Sequence, residues 1–222
     1  LVSDRGPTMA DERSDAQLLS AWKGGDDNAG NRLVRRHFEA IYCFFATKVQ
    51  DAPDLTQRTF LACLESAERF RGDSAFRTWL FGIAKRVLFN HYRGLRRQRA
   101  RFADFTQVSA VDLDPSPSAV FAGRQEQRLL VMALRSLPVE MQITLELHYW
   151  EAMKLNDIAE VLELPSGTVK SRLSRARAQL REAVEKLAES AQLRQSTLER
   201  LEHWAQAVRR DYGSSAPGED ES

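Results

Sequence analysis

The chain has 222 residues, enough for one medium domain or two small ones. Its 32 lysines and arginines nearly balance its 31 aspartates and glutamates, for a formal net charge of +1. No global field draws such a chain onto nucleic acid, so any DNA affinity must come from local clusters of charge. The apolar runs fall short of the roughly 18 residues that a membrane span requires.

The residues that usually carry chemistry are scattered. Cys43 and Cys63 lie among apolar residues without CxxC spacing, which favours reduced core thiols over a disulfide or a metal site. The four histidines have no partner at metal-ligand spacing. The sequence therefore predicts no catalytic residues, no metal and no cofactor, in a soluble, reduced, cytoplasmic protein that is not an enzyme.

Helical periodicity dominates, and no alternating strand pattern persists, so the predicted fold class is all-α. Residues 1–14 are predicted to be a disordered leader, an alternative start or a remnant of expression. The first domain, residues 15–100, is predicted to hold four helices: 15–23, a longer one capped by Asn28, 53–70 and 75–97. Four helices within about 85 residues predict a compact bundle.

The composition changes after the fourth helix. Residues 101–123 contain two prolines and little periodicity, which predicts a flexible linker. Helical patterns resume in residues 124–187, the predicted second domain. The architecture is therefore two small helical domains joined by a flexible linker.

The most informative stretch of the second domain is LNDIAEVLELPSGTVKSRLSRAR, residues 155–177. Leu155, Ile158 and Leu162 give one short helix a single apolar face, and Pro165 breaks it. Ser166 is predicted to cap a second helix, whose outer face carries short polar and cationic side chains. Two helices around a short turn, the second with such a face, predict a helix-turn-helix that binds DNA. The alternative is an αα-hairpin with a solvated basic face, but the absence of acids between Ser166 and Arg181 favours DNA.

Residues 70–97 interleave aromatic and cationic side chains. Aromatic faces can stack on unpaired bases while arginines hold the backbone, so this stretch is suited to single-stranded or opening DNA. The alternative is that Phe76, Trp79 and Phe89 belong to the core. The run of arginines beginning at Arg93 is harder to explain by packing.

These two stretches, in this order, resemble the extracytoplasmic-function (ECF) group of bacterial RNA polymerase sigma factors, over roughly residues 15–187. The resemblance is carried in the first domain by Asp54-Leu55 with Gln57 and Phe60, and by FRGDSAFRTWL at 70–80 with Ile83 and Ala84. In the second domain it is carried by Leu137-Pro138, Asp157-Ile158-Ala159 and GTVKSRLSRAR at 167–177. It implies that residues 15–100 form sigma region 2, which meets core polymerase and the −10 element. Residues 124–187 would be region 4, which reads the −35 element.

The resemblance also implies roles for individual residues. The implied −35 contacts are Lys170, Ser171, Arg172, Ser174, Arg175 and Arg177. The implied −10 and melting contacts are Arg71, Asp73, Ser74, Phe76, Arg77, Trp79, Lys85, Arg86, Arg93, Arg96 and Arg97. The implied polymerase contacts are Asp51, Asp54, Leu55, Gln57, Arg58 and Phe60. The expected partners are core RNA polymerase and promoter DNA.

This chain departs from the family where its third helix begins. The family usually has an acidic run there, whereas this chain carries Pro53 and Arg58. Because phosphorylation adds about −1.5 to −2 charges, we hypothesise that a Ser/Thr kinase restores the missing charge at Thr59 or Thr56. Such phosphorylation would place the chain in a subgroup of the family that is controlled by a Ser/Thr kinase. The alternative is that an anti-sigma factor controls it. A further departure is Arg86, where the family usually has Asn.

The last segment, residues 188–222, is predicted to contain an amphipathic helix over 190–211 and a disordered acidic tail. The helix could dock on the first domain, pack along the second or pair with another copy. A plain two-domain helix-turn-helix regulator is the competing function, but it has no reason to carry the 70–80 motif. A nucleic-acid enzyme would need clustered acids that are not seen.

Overall fold

The computed structural model describes residues 13–70, 72, 74–97, 107–113 and 125–199. Within these ranges the regular structure is helical, apart from one isolated bridge between Ser109 and Pro138. This confirms the all-α fold class. The helices are α1 Asp15–Lys23, α2 Asp27–Ala46, α3 Ala52–Glu65, α4 Phe76–Arg97, α5 Ala110–Leu113, α6 Gln125–Ser136, α7 Val139–Tyr149, α8 Leu155–Leu162, α9 Ser166–Leu187 and α10 Ala191–Glu199.

Helices α1 to α4 pack as a bundle, with a 3₁₀ turn at Ala67–Arg69 after α3. Ser14 and Gln17 form a capping box at the start of α1. The predicted cap of α2 was wrong by two residues, because Asp26 accepts the Ala29 amide at 3.0 Å and Asn28 already lies within the helix. The carboxylate at this position satisfies a helix amide that would otherwise lack a partner.

Gly30 shows how closely α1 and α2 approach each other. A Cβ atom at this position would lie 2.4 Å from Nε1 of Trp22. Gly30→Ala is therefore expected to destabilise the protein by about 1–3 kcal/mol, since overpacking outweighs the better helix propensity of alanine. Gly82→Ala in α4, where nothing lies within 4 Å of the added carbon, is the control and should unfold at a higher temperature than the parent. A raised melting temperature for both variants would contradict this account.

The helix-turn-helix is formed by α8 and α9, with Glu163, Leu164 and Pro165 between them. Glu163 ends α8 in the left-handed conformation at φ 58°, and the Leu164 amide donates to the Ala159 carbonyl at 2.9 Å. The predicted cap of α9 is corrected here. Pro165 occupies the cap position and Ser166 is the first helical residue, while the Pro165 carbonyl accepts the Thr168 and Val169 amides.

The predicted flexible linker is wrong in its described portion, residues 107–113. Ala110 and Leu113 of α5 are buried, and the Val139 amide donates to the Val108 carbonyl at 3.0 Å. Apolar side chains spaced three apart give this short helix a buried face. The two domains also pack directly on each other, with α4 lying against α8. The two predicted helical domains are therefore in contact in this structure.

The C-terminal helix α10 packs on α6 and α9 of the second domain, with Leu193 and Thr197 buried. Of the three predicted arrangements, packing along the second domain is the one found for residues 191–199. The rest of the predicted 190–211 helix, the tail and residues 1–12 lie outside the described residues. Among the residues described, no helix combines the length and apolar character needed to cross a membrane.

Candidate DNA and polymerase interfaces

The outer face of α9 is built by helical periodicity. Val169, Leu173 and Ala176 are buried against the rest of the second domain. The side chains between them point outward, and Lys170, Ser171, Ser174 and Arg175 are exposed. Short hydroxyl and cationic side chains of this kind can contact base edges and phosphates when a helix enters the major groove. Five of the six predicted −35 residues are therefore exposed, these four and Arg177.

The other two predicted −35 residues have partners inside the domain. Arg172 is mostly buried, and its Nη1 lies 2.6 Å from Oε2 of Glu140 on α7. Arg177 is exposed, but its guanidinium lies 5.3 Å from the Tyr149 ring centroid. In this structure the Arg172 charge fixes α9 on α7, and a contact between Arg172 and DNA stays a prediction. A sequence pattern places both arginines on the helix without revealing these partners.

A prediction follows for the exposed cations of α9. Lys170→Ala with Arg175→Ala is expected to weaken binding to duplex DNA and to lower the salt slope of the binding constant by about two. The matched control is Arg194→Ala, an exposed arginine on α10. Binding measured by fluorescence anisotropy over a salt series tests this; equal slopes for the double variant and the parent would remove the face from the DNA interface.

The aromatic side chains at the start of α4 form a cluster. The Phe76 ring lies 5.8 Å from both the Phe70 and Trp79 rings. Phe76 is buried, whereas Trp79 is half-buried. The burial of Phe76 agrees with the core alternative, and its contact with DNA stays a prediction. Ser74 is half-buried.

Two of the predicted −10 cations contact the second domain. Arg77 Nη1 donates to the Glu151 carbonyl at 2.8 Å, and its Nη2 pairs with the Glu151 carboxylate. Lys85 is buried, with Nζ 3.2 Å from Oε1 of Glu163. Arg86 and Arg93 remain exposed. Arg71, Asp73 and the side chains of Arg96 and Arg97 lie outside the described residues.

The predicted polymerase face lies on α3. The exposed members are Asp51, Asp54, Gln57 and Arg58. Arg58 Nε lies 2.9 Å from Asp54 Oδ2, so the arginine partly neutralises that acid. Leu55 and Phe60 are buried and hold the helix in the bundle, so their contact with polymerase stays a prediction.

Thr56 and Thr59 were expected on or beside this face, and that expectation is wrong. Both are fully buried. Thr56 Oγ1 donates to the Ala52 carbonyl and Thr59 Oγ1 to the Leu55 carbonyl, each at 2.8 Å. A threonine hydroxyl that bonds back to its own helix can be buried without an unsatisfied donor.

Sequence reasoning missed an apolar groove of about 380 Å³ beside the same face. It runs between α1, α2 and α3, and its lining includes Trp22, Val34, Phe38, Pro53, Gln57, Phe60, Leu61 and Leu64. Leu61 and Leu64 are apolar residues of α3, yet Leu61 is 55% exposed and Leu64 37%. The sequence did contain a signal for this groove, because α3 has more apolar residues than one packed helix face can bury.

Comparisons with known proteins match both domains. Residues 32–98 match the family described as Sigma-70 region 2, and residues 127–180 match Sigma-70, region 4. The ECF RNA polymerase sigma-E factor of Haemophilus influenzae is 30% identical over 189 residues, covering 81% of this chain and 100% of the relative. The sigma-E factor of Escherichia coli K12 is 27% identical over 179 residues, covering 76% and 93%.

Two solved structures share the fold. The sigma factor RpoE of Bartonella quintana, in complex with the anti-sigma factor NepR, has a TM-score of 0.55 at 22% identity, covering 70% of this chain and 96% of that one. CnrH, in complex with the cytosolic domain of CnrY, has a TM-score of 0.52 at 24% identity, covering 79% and 100%. With both Sigma-70 regions in order and a full-length relative of this similarity, the chain belongs to the ECF group of the sigma-70 family of RNA polymerase sigma factors.

Proposed function

We propose that this chain is an alternative sigma factor that binds core RNA polymerase, recognises −35 and −10 promoter elements and promotes DNA melting. The observation that carries the proposal is the exposed, acid-free outer face of α9, formed by Lys170, Ser171, Ser174 and Arg175. A good side-chain contact to a base edge discriminates by about 1–3 kcal/mol, so four such positions suffice to select a short element. Because members of this family act on RNA polymerase in the cytoplasm, we expect this chain to act there.

The first domain supplies the other two surfaces of the proposal. The exposed acids and amide of α3, Asp51, Asp54 and Gln57, are suited to a basic partner surface on polymerase. The cations of α4, including Arg77, Lys85 and Arg86, would hold the phosphates of an opening −10 element. Melting costs a few kcal/mol per extruded base, which such contacts can offset.

Reconstituted transcription tests this function. The purified chain is added to core polymerase on a library of promoter fragments, and specific transcripts are sequenced from their 5′ ends. We expect initiation from a shared pair of elements, and its loss with Lys170→Ala/Arg175→Ala. Duplex DNA binding without polymerase binding would instead support the plain helix-turn-helix regulator.

Regulation by a second protein is also part of the proposal. The two structural neighbours were each solved with a partner, RpoE with the anti-sigma factor NepR and CnrH with the cytosolic domain of CnrY. For this chain we propose that the exposed apolar edge of α3, at Leu61 and Leu64, is available to polymerase or to such an anti-sigma partner. A pull-down with core polymerase, comparing Leu61→Ser with the parent, tests this edge. If Leu61→Ser binds both polymerase and an anti-sigma protein as well as the parent does, the α3 edge is not part of either interface.

We also propose phosphorylation of α3, which requires the helix to open locally. The acid-poor exposed face supports it, since phosphate would add about −1.5 to −2 charges there. However, both hydroxyls are buried and hydrogen-bonded, so a kinase can reach Thr59 or Thr56 only if α3 opens locally. Polymerase affinity of protein carrying phosphothreonine at position 59, compared with unmodified protein, tests it. Affinity equal to or below that of the unmodified protein would contradict activation at this position.

A further inference from the structure

The end of α7 presents a histidine to the DNA-reading helix α9. His148 is half-buried and Arg177 is exposed, and His148 Nε2 lies 3.3 Å from Nη2 of Arg177. We propose that these two side chains form a clamp for one backbone phosphate of duplex DNA, and that His148 takes up a proton when the phosphate binds. The clamp rests on the proposed sigma function, since its ligand is the DNA that α9 would read.

Arg177 is placed to meet a phosphate rather than a base. Lys170, Ser174 and Arg177 follow one another at helical spacing along the exposed face of α9. A recognition helix contacts base edges with its N-terminal residues, and Arg177 lies about three turns after Ser166, the first helical residue. An arginine there is suited to the sugar–phosphate backbone, which fixes a protein on the duplex. Because α9 has no acid between Ser166 and Arg181, no carboxylate on this part of the helix repels a phosphate.

Tyr149 holds both members of the clamp in place. The Arg177 guanidinium lies 5.3 Å from the Tyr149 ring centroid, and the His148 ring lies 4.9 Å from the same ring at an angle of 72°. Cation–π and edge-on ring contacts of this kind favour one arrangement of the side chains. Two nitrogens kept close together can both donate to one phosphate, because a phosphate accepts through several oxygens. The pair is therefore preorganised for an anion.

The charge of His148 decides what the pair can hold. A guanidinium only donates, so without DNA His148 Nε2 accepts from Arg177 and the proton of the neutral ring is on Nδ1. Protonation places a second donor and a second positive charge beside Arg177, which disfavours this contact unless an anion lies between them. A phosphate is such an anion. Its binding therefore favours the protonated ring and, by linkage, a lower pH favours its binding.

The other ring nitrogen indicates more than a packing role for His148. Its Nδ1 is buried and has no hydrogen-bond partner among the residues that the structure describes. A buried polar atom without a partner lowers stability, so packing alone does not explain a histidine at this position. The nitrogen that makes a contact is Nε2, and that contact is to Arg177.

No carboxylate in the described part of the chain is hydrogen-bonded to His148. On the same helix, Glu140 pairs with Arg172 and Glu146 with Lys48. A DNA phosphate would therefore be the first anion to reach the ring. Charged groups on the elements packed against α7 include Arg135 on α6, Asp157 and Glu160 on α8, and Arg177 and Arg181 on α9.

The test is the pH dependence of duplex binding by the full-length chain. Fluorescence anisotropy with a mixed-sequence duplex of about 30 base pairs gives the binding constant over a salt series, at about pH 6 and about pH 7.5. His148→Gln keeps an acceptor for Arg177 but cannot become charged. The matched control is His91→Gln, which removes a half-buried histidine of α4 in the first domain. Circular dichroism checks that each variant is folded.

We expect the parent to bind about fivefold more tightly at the lower pH, with a salt slope larger by about one, because His148 adds one phosphate contact. His91→Gln should keep this gain, and His148→Gln should lose most of it. A gain that persists in His148→Gln, or its absence from the parent, would overturn the clamp and leave the sigma function standing. Failure of the parent to bind the duplex at either pH would overturn the DNA-reading face of α9 and the clamp with it.

Nuclear magnetic resonance of the parent gives a second measurement, which does not depend on how a variant folds. The ring-nitrogen shifts of His148 are followed against pH with and without the same duplex. We expect DNA to move the midpoint of this titration to higher pH, because the bound phosphate stabilises the charged ring. A midpoint that DNA leaves unchanged would overturn the clamp.

Discussion

Lys48→Met is expected to weaken the contact between the two domains by about 3–5 kcal/mol, because it leaves the Glu146 carboxylate buried without its cation. Burial lowers the pKa of Lys48 and raises that of Glu146, since each charge loses its hydration. The pair is therefore costly to bury and stable only while both members are present. Calorimetry should show one unfolding transition for the parent and two for Lys48→Met.

A second substitution separates the charge from the packing. Lys48→Met/Glu146→Leu should restore most of the lost coupling, because apolar side chains of similar volume can replace a buried ion pair. The control is the exposed ion pair of Glu182 and Lys186 on α9, in which Lys186 Nζ lies 2.7 Å from Glu182 Oε1. Replacing these two residues in the same way should leave the transition unchanged. Two transitions in the parent, or one in Lys48→Met, would show that the buried pair does not couple the domains.

Arg58→Glu is expected to raise the association rate with core polymerase about tenfold at low ionic strength. The substitution changes one exposed position from cation to anion and also releases Asp54 from its ion pair. A carboxylate in this part of α3 creates a like-charge pair with Asp54, which costs only a few tenths of a kcal/mol. The variant adds charge to the polymerase face without placing anything in the buried positions of Thr56 and Thr59.

Two controls accompany this variant. Arg58→Gln changes the charge by one unit and should give an intermediate rate, while Arg194→Glu makes the full change on α10 and should leave the rate unaltered. Rates measured by stopped flow at low and high salt should converge as salt screens the added charge. Equal rates for Arg58→Glu and the parent at low salt would show that the acid-poor face does not limit binding.

The sequence alone predicted the helices of the two domains and their order, but not the short helix α5. Periodic apolar positions such as Ile158, Leu162, Val169 and Leu173 predicted the helix-turn-helix, because an amphipathic helix must bury one stripe wherever it packs. The exposed side chains of α9 followed from the same periodicity. The two Sigma-70 regions were likewise visible as motifs, since each motif is local in the chain.

Only the tertiary structure decided which side chains remain accessible. Helical spacing puts Thr59 one position from Arg58 and four from Leu55, but only the packing of α2 and α4 around α3 shows that Thr59 is buried and Leu61 is not. The partners of Arg77, Lys48 and Arg172 lie 74, 98 and 32 positions away in the sequence, at Glu151, Glu146 and Glu140. A local pattern carries no information about such partners. The contact between the two domains therefore depends on how two complete helical units pack.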